Sequence, residues 1–526
     1  MPVRPLAALA FAAALATALV VASAPAADTA APATIVQLTA DGARAESETL
    51  ATAGASLIDA KLRLWRLEPA VAASLLPTLE HRHAVAAAQA ERTYDVAATT
   101  ETTDPLQAEE WWRTQIGIDG LTPPGRGVPI TIVDSGVDVT HPEFAGRPDL
   151  ELLNAQEPAG IGGEHGTSVA SVIGAALNGV GVVGVYPQAV IRSWDAARGS
   201  GTRLESADIA AGILAAARAG RGVINLSLGG DRDLPIELAV SEAVAAGSLI
   251  VAASGNDGTR GSPIGYPAAL PHVVTVAATD RTGGVASFSS RSPYVDIAAP
   301  GDEIVVASAL GKDWQPSSGT SFSSPIVAGA AAWLWTVRPE LDAGQVAEIL
   351  RRSARDIDQP GRDPASGFGM LNVQAALGLP SPIRDPFEPN DDIEEVAPGG
   401  DRNLAKAPPL TTPTRLSARI GGRVDTYEDP RDVYRVWLPA ARRVTLQVTA
   451  GSDASLSLHR TTARTVAGRF ASAGRLAHAS TQGRSERLVY TNTGAGRWAY
   501  VTVGLPARTQ DATYRLTASS AKTRAT

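Results

Sequence analysis

The sequence predicts an α/β catalytic domain built on a parallel sheet, with a small α+β module before it and an all-β sandwich after it. Two patterns carry that expectation. Between residues 104 and 377 short apolar runs alternate with amphipathic stretches, as in a parallel sheet covered on both faces. Beyond residue 413 the segments shorten and alternate with period two, as antiparallel strands with one buried face do. A chain of 526 residues has room for several such units, and 44% apolar residues supply their cores.

In order, residues 1–27 come first. They hold Arg4, an apolar run from Leu6 to Val21, and small residues that offer Ala22-Ser23-Ala24 or Ala24-Pro25-Ala26 for cleavage. This is the outline of a secretory signal peptide. A membrane anchor is the alternative, but the run is shorter than the roughly 20 residues a span needs. No later stretch is apolar enough to cross a bilayer, so the expected product is a secreted, extracellular monomer with no membrane span once the signal is removed. Absence of cysteine excludes disulfides, thiolate metal sites and thiol nucleophiles together. A net charge of −8 supplies no basic field for nucleic acid.

Residues 28–100 alternate strand-like Thr34–Leu38, Leu62–Leu67 and Ala84–Ala88 with helix-like Glu46–Ala53 and Ala70–Leu79, which suits a small α+β module. A Thr-rich acidic stretch, Ala97–Pro105, reads as a cleavable linker. Residues 101–378 form the catalytic domain, with strands expected at Ile130–Val133, Val190–Trp194, Val223–Leu226, Leu249–Ala252 and Val273–Ala277. Residues 379–413 are rich in Pro and acid and read as a linker; Asp385, Glu388, Asp391 and Asp392 form an acidic group denser in oxygen than the loop 178–182, a calcium alternative set below the favoured reading of a solvated linker. Residues 414–526 carry strands at Asp432–Leu438, Val444–Thr449, Glu486–Thr491, Trp498–Val503 and Thr513–Thr517.

Three short strings carry the chemistry. In Ile132-Val133-Asp134-Ser135-Gly136 a carboxylate stands where a buried strand runs out into a turn. In His165-Gly166-Thr167-Ser168-Val169-Ala170 a histidine opens a helix of small residues. In Gly319-Thr320-Ser321-Phe322-Ser323-Ser324-Pro325 a serine lies at or just before a helix N-terminus, where free N–H groups favour developing negative charge. Each string alone has an ordinary structural reading; together they give the order Asp, His, Ser found in one class of serine hydrolases. A serine hydroxyl is a poor nucleophile until a base takes its proton. His165 is the expected base, Asp134 the group that holds its tautomer, and Ser321 the nucleophile. An oxyanion needs donors as well, and these are expected from the Ser321 N–H and from Asn256 in Ala253-Ser254-Gly255-Asn256-Asp257-Gly258.

With Ser227-Leu228-Gly229, Gly199-Ser200-Gly201, Gly265-Tyr266-Pro267, Ala299-Pro300-Gly301 and Gly367-Phe368-Gly369-Met370-Leu371-Asn372, these strings resemble the subtilisin-like serine proteases over residues 104–377. The resemblance implies a secreted serine endopeptidase acting on protein or peptide substrates through an acyl-enzyme, with no cofactor required for chemistry. It also implies that Gly199, Ser200, Gly201 and Ser227, Leu228, Gly229 bracket the substrate backbone, with pocket walls from Ala253, Ser254, Gly255 and Gly265. Family calcium sites imply Glu143 and Asn178 as candidate ligands for a structural calcium, although the loop 178–182 is poor in oxygen side chains. The family carries Met after the nucleophile, where this chain has Phe322. Asp257 beside Asn256 is either a pocket group for a basic substrate residue or a solvated turn residue. Residues 28–100 resemble the inhibitory propeptides of the family, which implies a self-processing zymogen with its own propeptide as intramolecular inhibitor. Residues 385–519 resemble the bacterial pre-peptidase C-terminal domain through Asp385-Pro386-Phe387-Glu388-Pro389-Asn390-Asp391 and Asp432-Val433-Tyr434. A binding protein that keeps the protease fold as a scaffold is the competing reading.

Overall fold

In the computed structural model, which describes residues 33–91, 104–156, 164–197, 203–399, 407–426, 429–467, 472 and 474–522, the chain divides into two units, residues 1–100 and 101–526. The expected signal peptide and most of the Thr-rich stretch lie outside the described residues. The first unit has strands β1 (Thr34–Leu38), β2 (Ser56–Asp59), β3 (Leu64–Leu67) and β4 (Val85–Ala90), in the antiparallel order β2-β3-β1-β4, with helices α1 (Ala40–Thr52) and α2 (Pro69–His81). Helix α1 begins six residues earlier than periodicity suggests because Thr39 caps it, its hydroxyl accepting the Gly42 N–H at 3.0 Å. Strand β2 was invisible to patterning for a plain reason: all four of its residues are exposed. Val36, Leu38, Leu50, Trp65, Leu67 and Leu79 fill the core.

The second unit opens with α3 (Trp112–Gln115) and then winds seven parallel strands into one sheet. They are β5 (Ile130–Asp134), β6 (Leu150–Leu152), β7 (Ile191–Asp195), β8 (Val223–Leu226), β9 (Leu249–Ala253), β10 (Val273–Thr279) and β11 (Ile297–Pro300), in the spatial order β11-β10-β9-β8-β5-β7-β6. Successive side chains feed opposite faces. Ile132, Val251 and Val274 join the core under α4 (Glu164–Gly174) and α7 (Thr320–Val337), whereas Val133, Ile224 and Ile250 pack on α5 (Ser206–Arg218) and α6 (Leu234–Ala245). A hairpin of β12 (Ile304–Ser308) and β13 (Asp313–Ser317) leads into α7, and α8 (Ala343–Ser353) and α9 (Val373–Gly378) follow. Chain connections leave β5 toward one edge and β8 toward the other, so a crevice opens outside their carboxyl ends. Asp134 is the last residue of β5 and Ser227 is the first after β8.

Residues past 407 build a sandwich of two antiparallel four-stranded sheets. Strands β14 (Ala418–Asp425), β15 (Arg431–Leu438), β16 (Arg442–Ala450), β17 (Ser455–Arg460), β18 (Arg475–Ala479), β19 (Ser485–Asn492), β20 (Arg497–Gly504) and β21 (Asp511–Lys522) pair as β14-β21-β16-β19 and β15-β20-β17-β18. In β16 the buried residues Val444, Leu446, Val448 and Ala450 alternate with more exposed ones, which is the period-two pattern read from sequence. Strand β14 escaped that reading because Gly421 and Gly422 interrupt its apolar pattern. The stretch taken for a solvated linker is folded over much of its length. A short helix α10 (Ile393–Val396), capped by Asp392, buries Ile393 and Val396 against Val433, Ala463, Val466 and Tyr500.

Candidate active site

Strand β5 is buried along its whole length, and its last residue, Asp134, is 1% exposed. One Asp134 carboxylate oxygen accepts the Ser135 N–H at 2.7 Å, which fixes the carboxylate plane. His165, second residue of α4, brings its Nδ1 to 2.8 Å and 2.9 Å from the two Asp134 oxygens. Attraction by the Asp134 charge raises the His165 pKa against the opposing effect of burial. The imidazole is thereby held in the tautomer that leaves Nε2 free toward the crevice. Gly166 must be glycine for this approach, since a Cβ there would stand 2.1 Å from the Gly136 carbonyl oxygen.

Ser321 lies in the first turn of α7 and not before it. Its hydroxyl donates to the Ser227 carbonyl at 3.3 Å, and the Ser227 hydroxyl donates back to the Ser321 carbonyl at 2.8 Å. Helix α7 packs against α4, and the ring of Phe322 stands 6.1 Å from the His165 ring. The hydroxyl therefore rests on the Ser227 carbonyl, and turning about χ1 is what frees it to donate elsewhere. Asn256 follows β9. Its side-chain oxygen accepts the Thr320 N–H at 2.9 Å and the Thr320 hydroxyl at 3.0 Å, so its NH2 is left as a donor. Gly319, with φ +155°, gives that amide room: a Cβ would come within 3.3 Å of Nδ2.

Beside this group opens a cavity of about 540 Å³ whose walls include Asp134, His165, Leu228, Ile209, Tyr266 and Asp231. Ser227, Leu228 and Gly229 form its edge, with Gly230 paired to Tyr266. Ala253 ends β9, Ser254 donates to the Ser290 carbonyl, and Gly255 donates to Thr320 Oγ1 at 3.2 Å. Gly265 faces Ser254, where a Cβ would stand 3.7 Å from the Ser254 carbonyl oxygen. Gly199, Ser200 and Gly201 lie outside the described residues. Asp257 is paired with Arg260 at 3.1 Å, an exposed partner three residues on, which suits the turn reading.

The calcium candidates Glu143 and Asn178 each have one side-chain oxygen held by the protein. Glu143 turns one oxygen to the Val182 N–H at 2.8 Å and the Trp314 indole N–H at 2.6 Å. Asn178 gives its side-chain oxygen to the Val180 N–H, and Asp104 accepts the Asn178 and Gly179 N–H groups. Loop donors thus hold one oxygen of each carboxyl, while the second oxygens of Glu143 and Asp104 are buried without a hydrogen-bond partner, the kind of acceptor a bound calcium would take up. Burial pushes Glu143 up to about 7 and its neighbour Glu110 up to about 8.

The subtilase family model matches residues 125–369. Subtilisin of Bacillus pumilus is 35% identical over 257 residues, covering 48% of this chain and 91% of that relative. The chain belongs to the subtilase family. Subtilisin E of Bacillus subtilis is also 35% identical over 257 residues, and there the match spans 48% of this subtilase and 66% of the relative's length. Among solved structures, the S41 psychrophilic protease aligns at 31% identity with a TM-score of 0.44, covering 53% of this subtilase and 100% of that chain. Subtilases are serine endopeptidases, and catalysis in the family needs no cofactor.

Sequence reasoning missed two participants in this subtilase. Thr320 anchors Asn256 through both its N–H and its hydroxyl, and the only sequence signal was its place beside Ser321. His272, which no motif singles out, stands 3.1 Å from Asp391 and 3.2 Å from Glu388, acids from the segment taken for a solvated linker.

Proposed function

We propose that this chain is a secreted serine endopeptidase, made as a self-processing zymogen, that cleaves peptide bonds through Ser321, His165 and Asp134 with Asn256 as an oxyanion donor. The observation that carries this reading is the two-oxygen hold of Asp134 on His165 Nδ1. Binding alone has no use for it.

Substrate backbone lies along the edge Ser227–Gly229 as an added strand, with side chains against Ala253–Gly255 and Gly265. The Ser321 oxygen attacks the carbonyl carbon while His165 Nε2 takes its proton, and Asp134 stabilises the imidazolium. The tetrahedral oxyanion accepts from the Ser321 N–H and the Asn256 amide. Collapse breaks the C–N bond, and His165 returns the proton to the departing amine. Water then adds to the acyl-enzyme with His165 again as base, which releases the acid and restores Ser321.

In this reading residues 1–27 are the signal peptide, 28–100 the inhibitory propeptide, 101–378 the catalytic domain, 379–413 the connection and 414–526 a pre-peptidase C-terminal domain. A serine-directed phosphonate tests the chemistry: it should label the mature protein and fail on Ser321→Ala. Labelling of neither form would favour the binding-protein alternative. Ser321→Ala should also accumulate unprocessed, with turnover lowered by about 10⁶, the loss known for the same change in subtilisin. N-terminal sequencing that finds normal processing in this variant refutes self-cleavage.

A further inference from the structure

One sheet of the sandwich, in the order β14-β21-β16-β19, turns its even-numbered residues inward, where Val444, Leu446, Val448, Leu488 and Leu516 are buried. Its odd-numbered residues make the opposite, outer face. An exposed arginine stands there on each of the four strands: Arg419 on β14, Arg515 on β21, Arg443 on β16 and Arg487 on β19. Among the described residues no carboxylate pairs with any of these guanidiniums. The outward acids of β14 and β21, Asp425 and Asp511, are register partners at the other end of those strands, where Arg423 bonds Glu348 of α8 at 3.1 Å. In a chain of net charge −8, this face concentrates the opposite sign.

Strand register sets the spacing of the charges. Arg419 is opposite Thr517, Thr517 opposite Gln447, and Gln447 opposite Arg487, so two arginines share one row, three strand spacings or about 14 Å apart. Arg515 is opposite Thr449, one row toward Asp511, and Arg443 is opposite Thr491, two rows the other way. From Thr449 to Arg443 is about 20 Å of strand. Directly opposed like charges would destabilise the sheet, and no arginine here opposes another. Charged residues on edge strands guard against edge pairing. That account covers Arg419 and Arg487, on the edge strands β14 and β19, but not Arg515 and Arg443, on the central strands β21 and β16. Between the arginines lie Thr445, Gln447, Thr449, Thr517 and Ser519, each able both to donate and to accept a hydrogen bond. The outward residues of the four strands include no aromatic ring.

We propose that this face binds an acidic polysaccharide, a polymer carrying carboxylate or sulfate groups on a hydroxyl-rich chain, and so holds the catalytic domain against it. Each guanidinium offers a planar fork of N–H donors that matches the paired oxygens of such an anion. The Thr, Ser and Gln side chains between the forks match sugar hydroxyls, which also donate and accept. That second feature decides against other polyanions. A nucleic acid strand brings bases, and the face has no ring for them to stack on; an acidic peptide brings carboxylates without hydroxyls. Four charges spread over a field of about 14 by 20 Å suit an extended polymer held by several weak contacts, not a small anion in a pocket. Arg423 lies on the same face of β14 and ties it to α8 through Glu348, so polymer bound here stays beside the catalytic domain.

The test uses the full chain as Ser321→Ala, so that self-digestion plays no part, and measures Kd by calorimetry. Hyaluronate supplies carboxylates, dextran sulfate supplies sulfates, and the tighter of the two identifies the anion. Neutral dextran should not bind, and polyglutamate and single-stranded DNA should bind at least about tenfold more weakly. Failure of both charged polysaccharides to bind, or equal binding of dextran, polyglutamate or DNA, overturns the proposal. Arg443→Gln with Arg515→Gln should raise the Kd about tenfold, and adding Arg419→Gln and Arg487→Gln should bring the loss to about 100-fold. Arg460→Gln with Arg475→Gln removes the same charge as the first pair from the other sheet of the sandwich and should leave the Kd unchanged; an equal loss there overturns the assignment to this face. Circular dichroism identifies a variant that fails to fold. The salt series on the unaltered face then decides: sodium chloride raised from ~0.05 M to ~0.5 M shortens the screening length from about 14 Å to about 4 Å and should weaken binding at least about tenfold. Binding insensitive to salt overturns the role of the arginines.

Discussion

Nδ1 of His165 sits almost symmetrically between the Asp134 oxygens, at 2.8 and 2.9 Å. The pair links the end of β5 to the start of α4 and sets the proton affinity of the imidazole, the base of the proposed mechanism. Since Asp134 is the largest influence and raises the His165 pKa, the imidazole stays charged to higher pH than an ordinary histidine of about 6.5. Only the neutral ring can accept the serine proton. The acid limb of kcat/KM should therefore have its midpoint above 6.5 and move to lower pH in Asp134→Asn. Turnover of that variant should fall by about 10⁴, the loss for an Asp-to-Asn change in a chymotrypsin-type triad. Rate–pH profiles of both forms check this, and an unmoved limb would break the assigned coupling.

Thr320 and Asn256 give a graded test of the oxyanion donor. Asn256→Ala should lower kcat by about 10² to 10³ with little change in KM, because the donor acts on charge that develops in the transition state. Thr320→Val keeps the backbone N–H to Asn256 and removes the hydroxyl at 3.0 Å. The hydroxyl also accepts the Gly255 N–H at 3.2 Å, so two neutral hydrogen bonds are lost, at a cost of about tenfold or more in kcat. Combined with Asn256→Ala it should cost less than it does alone, since only the Gly255 bond is then left to lose, and fully additive losses in the double variant would show that Thr320 does not act through Asn256.

How far the sequence could be read follows from what each element had to satisfy locally. Strands β5, β8, β9 and β10 are buried on both faces, so continuous apolar runs marked them within two residues. Asp134, His165, Ser321 and Asn256 were legible because strand ends and a helix start stand beside them in the chain. What escaped was long-range. Thr320 and Asn256 are 64 positions apart and His272 and Asp391 are 119 apart, so no local pattern announces either contact. The acids from 385 to 392 looked solvated since a charge run usually is; long-range contacts with β14, β15 and His272 half-bury them. Backbone donors hold one oxygen of Glu143 and the side-chain oxygen of Asn178, contacts that the chain alone does not announce.

Phe322 predicts resistance to oxidation. It follows the nucleophile, is 7% exposed, and its ring stands 6.1 Å from His165. A thioether there would become a polar sulfoxide against the base. The chain has two methionines, and Met370 is fully buried. Mild peroxide should leave most activity in the natural enzyme and remove most of it from Phe322→Met. Equal losses in timed activity assays would place the sensitive group elsewhere.

Glu110 predicts how stability depends on pH. Its carboxyl accepts the Val183 N–H at 2.9 Å and is otherwise buried, and desolvation pushes its pKa from 4.5 up to about 8. The folded state therefore holds this proton more tightly than the unfolded chain does. Stability from the protonated form is complete below about pH 4.5 and is lost as pH rises through about 8. Glu110→Gln keeps an acceptor for Val183 and cannot charge. Its advantage over the natural residue should grow from near zero at pH 4.5 to a few kcal/mol, on the order of the linkage limit, by pH 9. Glu143, pushed up to about 7, titrates in the same window, so Glu110→Gln should reduce the slope without abolishing it. Thermal unfolding of the phosphonate-blocked protein across pH 5 to 9 measures the difference, and parallel Tm curves for the two forms would mean that Glu110 ionises in the fold at no cost.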